Sequence, residues 1–250
     1  MPPFIDAHAH LDRFPDAASA IASAKGAGCE AIVTCGYEPA ANRAAVALAR
    51  ANPGFVFPAI GLAPGAVMDW SAEDFEREFA SVRENASSAV AIGEIGLDYH
   101  WAGKHEQIAA QKEYFSRQLA FAVERDMPVV IHSRKAEADA LAMLKDAGAR
   151  KVLLHFFSGP PALAREAAAL GYSFTVPPTR SRSRAASIRE MPLPSLMLES
   201  DSPYVGATPE TALEAGKIVA ESKGISIDEV VTASAVNAKR FFGLKPGGSP

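Results

Sequence analysis

Eight times along its 250 residues, this chain sets a short run of branched and aromatic apolar residues ahead of a longer stretch with helical spacing. That alternation constrains the fold more than any other feature. Parallel strands cannot be joined by tight turns, so each needs a crossover helix, and eight such units suffice to close a sheet on itself. The predicted strands are Phe4–His8, Ala31–Cys35, Val56–Leu62, Val90–Ile95, Val129–His132, Val152–Phe156, Tyr172–Val176 and Leu196–Glu199. Several are nearly continuous apolar runs, as expected of strands covered on both faces.

Helical spacing places Ile108, Phe115, Leu119 and Ala122 on one face between Gln107 and Arg125. Ser71, and Thr208 with Pro209, read as helix starts, and Gly148 and Gly171 as stops. After the eighth strand come a helix over Pro209–Lys223 and another opened by Ser226 with Glu229 three residues on, a capping-box spacing. No linker or repeat divides the chain. The expectation is an α/β fold, a TIM (β/α)8 barrel with an extra C-terminal helix, formed by residues 1–250 as a single domain, with a frayed tail at Pro246–Pro250. A doubly wound open sheet shares the alternation, and the positions of the polar residues discriminate between the two.

His8 and His10 fall at the end of the first predicted strand, Glu94 at the fourth, His132 at the fifth, His155 at the sixth and Asp201 just past the eighth. In a barrel all strand C-termini converge on one face, so these six residues would meet in one site; an open sheet would spread them along an edge. One strand-end histidine is ordinarily a packing residue. Here four of the chain's six histidines share that position with two carboxylates, which points to metal binding. Mixed imidazole and carboxylate donors suit zinc, manganese or iron, and magnesium enters through the carboxylates. Six ligands exceed one tetrahedral ion, so two divalent ions sharing a carboxylate are expected, the arrangement that stabilises both oxygens of a displacement.

Outside this set, Arg134 follows a ligand histidine and can fork onto a phosphate or hold its own loop by an ion pair. Arg180, Arg182, Arg184 and Arg189 form the densest positive stretch of a chain with net charge −4, either a solvated face or a grip on a polyanion. His100 and His105 occupy a loop that serves equally as surface or substrate rim. Phe156 and Phe157 are expected to pack in the core rather than stack on a ligand. Cys29 and Cys35 have no second thiol pair, which excludes a disulfide framework and a zinc knuckle and leaves two core thiols. The hydrophobic fraction of 48% suits a large core, and no apolar run approaches a membrane span. With no basic leader or cleavage site ahead of the first strand, a cytoplasmic location is expected, and a monomer is the simplest state.

Five ordered motifs, Asp6-Ala-His-Ala-His-Leu-Asp12, Gly93-Glu-Ile-Gly-Leu-Asp-Tyr99, Ile131-His-Ser-Arg134, His155-Phe-Phe-Ser-Gly159 and Glu199-Ser-Asp-Ser-Pro-Tyr204, resemble those of the TatD family, and the likeness runs on to Asn237-Ala-Lys-Arg-Phe-Phe-Gly243. The resemblance implies a TIM barrel with a two-metal site that hydrolyses phosphodiester bonds, typically of DNA. It further implies that His8, His10, Glu94, His132, His155 and Asp201 are the ligands, with Glu94 as the bridge and Asp201 also handling the proton of the attacking water. Two departures concern the substrate. Gly61-Leu-Ala-Pro64 puts Ala63 where the family carries a histidine, and the Arg-Asn-x-Pro stretch usual after Tyr204 is missing. These keep open an amidohydrolase that acts on an ester or amide, such as an aminoacyl-nucleotide deacylase. A non-catalytic RNA-binding barrel is the third reading, disfavoured because a scaffold has no need of six ligands.

Overall fold

The computed structural model describes residues 1–245; the tail at Pro246–Pro250 lies outside the described residues. In chain order the elements are β1 (Phe4–Ala9), α1 (Ala17–Gly26), β2 (Cys29–Cys35), α2 (Pro39–Ala51), β3 (Val56–Ile60), the single turn α3 (Pro64–Val67), α4 (Ala72–Asn85), β4 (Ala91–Asp98) and α5 (His105–Glu124). They continue with β5 (Val129–Arg134), α6 (Glu137–Asp146), β6 (Val152–Leu154), α7 (Pro161–Ala169), β7 (Ser173–Val176), α8 (Arg182–Glu190), β8 (Leu196–Leu198), α9 (Ala212–Lys223) and α10 (Ile227–Phe242).

The strands form one parallel sheet in sequential order from β1 to β8. Closure follows beyond the end of β8, where Asp201 N donates to His8 O at 3.0 Å and His10 N to Ser202 O at 2.8 Å. The fold is therefore the closed α/β barrel, not the open sheet. Local capping set the helix starts as the sequence indicates: Ser71 Oγ accepts from Asp74 N at 3.1 Å, and Ser226 Oγ from Glu229 N at 3.2 Å. The predicted Pro209 helix opens as one 3-10 turn before α9.

Two apolar layers result. Alternate strand residues such as Phe4, Ile32, Ile92, Ile131 and Phe174 pack outward against the helices. Ile5, Ala7, Val33, Ala59, Ala91, Val130, Leu153 and Met197 fill the interior, where Ala235, Ala238 and Phe242 of α10 close one end. The additional C-terminal helix is thus the floor of the barrel.

Two strands break the strict alternation. Between Asp6 and Ala9 in β1, and between Ile92 and Ile95 in β4, the register slips by a residue against the neighbouring strand. Both slips lie where a metal-ligand candidate is carried, and bulges of this kind re-aim side chains next to active sites. Gly96 makes the second possible: its φ is +141°, and a Cβ there would sit 2.0 Å from His132 O. Only glycine lets β4 approach β5 so closely.

Strand limits differ from the sequence expectation in one way that matters. β4 runs to Asp98 and β5 to Arg134, so Glu94 and His132 lie inside their strands and not at the ends. No helix among the described residues is long and apolar enough to cross a membrane.

Candidate metal centre

His8 Nε2 and His10 Nε2 face each other at 3.2 Å. Asp201 Oδ1 lies 3.4 Å from His10 Nε2 and 3.7 Å from His8 Nε2, and Glu94 Oε2 lies 3.7 and 3.8 Å from the same two nitrogens. These separations exceed a good hydrogen bond. They are close to the roughly 3.4 Å between donors arranged tetrahedrally around an ion at about 2.1 Å. The other Glu94 oxygen turns the opposite way, to His132 Nδ1 at 2.6 Å. His155 stacks on His8 with ring centroids 3.5 Å apart, and His8, Glu94 and His155 offer donor atoms within 4.8 Å of one another.

Each imidazole is held from behind. His10 Nδ1 donates to Cys35 O at 2.9 Å, which leaves its Nε2 lone pair directed at the cluster. Cys35 Sγ lies 3.2 Å from His8 Nδ1, His155 Nδ1 donates to Glu199 Oε2 at 2.7 Å, and His132 Nε2 meets Asp98 Oδ2 at 2.8 Å. Such outer partners fix ring orientation and basicity in metal sites. Asp98 is fixed in turn, its Oδ1 accepting from the backbone of His100 and Trp101 at 2.9 and 3.1 Å. Asp6 accepts from Ser200 N at 2.9 Å and His8 N at 3.3 Å, so it splices β1 to the segment carrying Asp201 and takes no place among the ligands.

Asp201 and Phe156 adopt left-handed backbone, with φ of +48° and +46°. Non-glycine residues hold that conformation only when their surroundings over-determine it. For Asp201 the bonds from its own amide to His8 O and from Val205 N to Asp201 O, at 2.9 Å, supply the constraint.

The electrostatics follow from crowding. Burial pushes the Glu94 carboxyl up, but the His132 bond and the charges of His132, His155 and His8 outweigh it and hold Glu94 well below the carboxylate range. Burial disfavours charge on His132 and His155 too, yet Asp98 with Glu94 raises His132 to about 10, and Glu199 raises His155 to about 9. His8, desolvated and beside His155 and His10, lies well below the usual imidazole value. Glu94 is thus held as an anion beside imidazoles of which His132 and His155 favour the proton and His8 does not, a state a divalent cation would replace. The donor set fits one cation among His8, His10, Asp201 and Glu94 directly. His132, bonded to Glu94 and Asp98, stands outside that set.

The residues that form this centre lie in a chain whose positions 5–243 match the family model described as TatD related DNase. The chain belongs to the TatD family. It is 32% identical to the human deoxyribonuclease TATDN3, covering 95% of this chain and 94% of that protein. It is 32% identical to the Bacillus subtilis metal-dependent hydrolase YabD, with 95% and 98% covered. The crystal structure of the TatD homologue YjjV from Escherichia coli superposes with a TM-score of 0.86 over 97% of this chain and 98% of that one, at 29% identity. Like its TatD relatives, the chain is a metal-dependent hydrolase.

Around this TatD-type centre the structure separates the arginines that the sequence groups. Arg180 is exposed and pairs with Glu221 of α9, one of its bonds being 2.9 Å long. Arg182 is exposed at the start of α8. Arg184 alone turns inward: half-buried, it lies 4.7 Å over the Phe156 ring and donates to Thr179 O at 2.9 Å. Arg134 stands at the mouth, 5.6 Å over Trp101. Phe157 packs on Phe174 in the core, but Phe156 does not, because its left-handed backbone swings the ring beside His155. His100 and His105 are exposed. The outer partners Asp98 and Glu199 were legible in principle, since each stands an even number of residues from an inward ligand on the same strand line. Arg13, Tyr37 and Tyr204, which surround His10, carry no such signal.

Proposed function

We propose that this chain hydrolyses phosphodiester bonds of DNA with two divalent ions. His8, His10 and Asp201 with Glu94 Oε2 would hold one, and Glu94 Oε1, His155 and His132 the other. Bound there, the ions supply Lewis acidity toward the phosphoryl and leaving oxygens. Glu94, with one oxygen turned to each group of imidazoles, sets their spacing. Asp98 and Glu199 keep His132 and His155 in the required tautomer. Asp201 accepts a proton from the attacking water; as the P–O bond to the leaving oxygen breaks, that proton passes to the leaving group. Arg134 and Arg184 grip phosphates, while Arg180 and Arg182 attract the polyanion from farther out.

The observation that carries this reading is the set of donors spaced 3.2–3.8 Å around one point, with every imidazole anchored from behind. The assay is metal analysis of the purified protein together with turnover on single-stranded DNA, duplex DNA, RNA, a small phosphodiester and a carboxylic ester. Glu94→Ala is expected to lower the stoichiometry and abolish turnover; undiminished activity in metal-free protein refutes the scheme. One observation favours the amidohydrolase alternative: Ala63, buried and capping α3, offers no polar side chain where the family has a histidine. Turnover of the ester alone would select it. The same reading takes residues 1–250 as one catalytic unit acting in the cytoplasm.

A further inference from the structure

Among the described residues, two large aromatic side chains stand mostly in solvent, Trp101 at 62% exposure and Tyr204 at 56%. A folded chain gains by covering such rings, so two left bare at one end of a barrel call for an explanation. Both stand at the metal centre. Tyr204 makes an edge contact with the His10 ring, centroids 5.1 Å apart. Trp101 hangs from Asp98, whose Oδ1 accepts its amide while Oδ2 holds His132. Tyr204 follows β8, beside β1; Trp101 follows β4, beside β5. In a ring of eight sequential strands these places are diametrically opposed, so the two rings straddle the cluster.

Each ring also carries an arginine. Arg13 Nε donates to Tyr204 Oη at 2.7 Å, and its guanidinium lies 6.0 Å from the Tyr204 centroid and 5.2 Å from that of Tyr37. The Arg134 guanidinium lies 5.6 Å over Trp101. Arg13 comes no nearer to a carboxylate than 4.0 Å, at Asp12. A guanidinium parked on a ring keeps N–H groups free for phosphate oxygens, and a ring with an open face accepts a base. Alternating ring and cation is how proteins hold an unpaired strand: the arginines follow the backbone and the aromatics stack the bases. Duplex bases are covered by their neighbours and cannot use such a platform except at an end.

Resting on the phosphodiesterase reading, we propose that Trp101 and Tyr204, with Arg134 and Arg13, are specificity-determining residues that stack unpaired bases on either side of the scissile phosphate and so select single strands over duplexes. The chemistry is shared by DNA and RNA, and each forms one arm of the test.

The experiment measures affinity of the metal-loaded protein for phosphorothioate-linked DNA and, in a second arm, RNA oligonucleotides, each single-stranded and duplex. Trp101→Ala and Tyr204→Ala are each expected to lower single-strand affinity by roughly 5- to 160-fold, the range for one lost base–aromatic stack, and thereby collapse the single-strand to duplex ratio. Unmutated protein should show the same loss when the base to be stacked is replaced by an abasic site, and Trp101→Ala should add little on that abasic strand. A merely structural role would make the variant's loss independent of the base. Trp101→Phe, which keeps a stacking face, should recover most of the affinity. The proposal is overturned if unmutated protein binds single strand and duplex equally, or if removing the base changes nothing. Failure to hydrolyse any phosphodiester would instead remove the functional reading on which it rests.

Discussion

Glu199→Gln tests whether the centre is built from outside in. Glu199 is fully buried, and its Oε2 accepts from His155 Nδ1 at 2.7 Å while its Oε1 has no hydrogen-bond partner. Burial raises the Glu199 carboxyl, and the neighbouring His155 charge counters part of that rise. The substitution keeps an acceptor for Nδ1 and removes the charge, so two effects of opposite sign follow. Metal affinity should fall 10- to 100-fold, the usual scale for an outer partner, or about 1.4–2.7 kcal/mol. Stability of the metal-free protein should change by less than about 1 kcal/mol, because losing a charged hydrogen bond is offset by no longer desolvating a carboxylate. Competition against a chromophoric chelator reads the first quantity and chemical denaturation in chelator the second. Unchanged metal affinity would refute the argument that Glu199 acts through His155. A large loss of metal-free stability would mean that Glu199 serves packing instead.

Four further outcomes are expected. Asp201→Asn should reduce turnover by at least roughly 10²-fold while retaining metal, because an amide still ligates through oxygen but takes no proton; single-turnover rates beside metal content check this. His132 and His155 lie above the ordinary imidazole value, at about 10 and about 9. Their contribution to metal-free stability is therefore full below about 6.5 and lost as the pH rises through 9 to 10, and denaturation across that window should follow it. By the same protons, metal binding at neutral pH should release protons, seen by calorimetry in buffers of different ionisation enthalpy. Finally, Arg182→Ala should flatten the log–log salt slope for a single strand by about 0.7, whereas Arg180→Ala should change it less because Arg180 is already paired with Glu221. Equal effects from the two would show that the ion pair opens on binding.

Much of this protein was legible as sequence because the barrel rests on repetition. Each βα unit announces itself through an apolar run and a cap, and Ser71 and Ser226 do in the structure what their spacing indicates. The site was legible because a barrel collects strand ends regardless of their distance along the chain. What escaped was set by neighbours. Whether Arg180 faces a phosphate or Glu221 depends on α9, about forty residues away. Phe156 reads as core from its composition and leaves it through a backbone angle that no side-chain pattern encodes. Arg13 becomes part of the mouth only through Tyr37 and Tyr204.

The deeper limit lies in the pleat itself. In β1, Ile5 and Ala7 pack in the inner layer and Ala9 in the outer one. Strict alternation from Ile5 would send His8 and His10 outward with Phe4, toward the helices, and no metal centre could form. The extra residue between Asp6 and Ala9 reverses the faces, and the slip between Ile92 and Ile95 does the same for Glu94. His8 and His10, two residues apart, share one face of the strand, but which face depends on an irregularity that the two-residue period cannot reveal. In β1 and β4 the apolar lower half of the strand and its polar upper half thus obey different registers, whereas His132 and His155 follow the unbroken alternation of β5 and β6. The barrel closes on one and carries its chemistry on the other, with Gly96 supplying the close approach that the change of register in β4 requires.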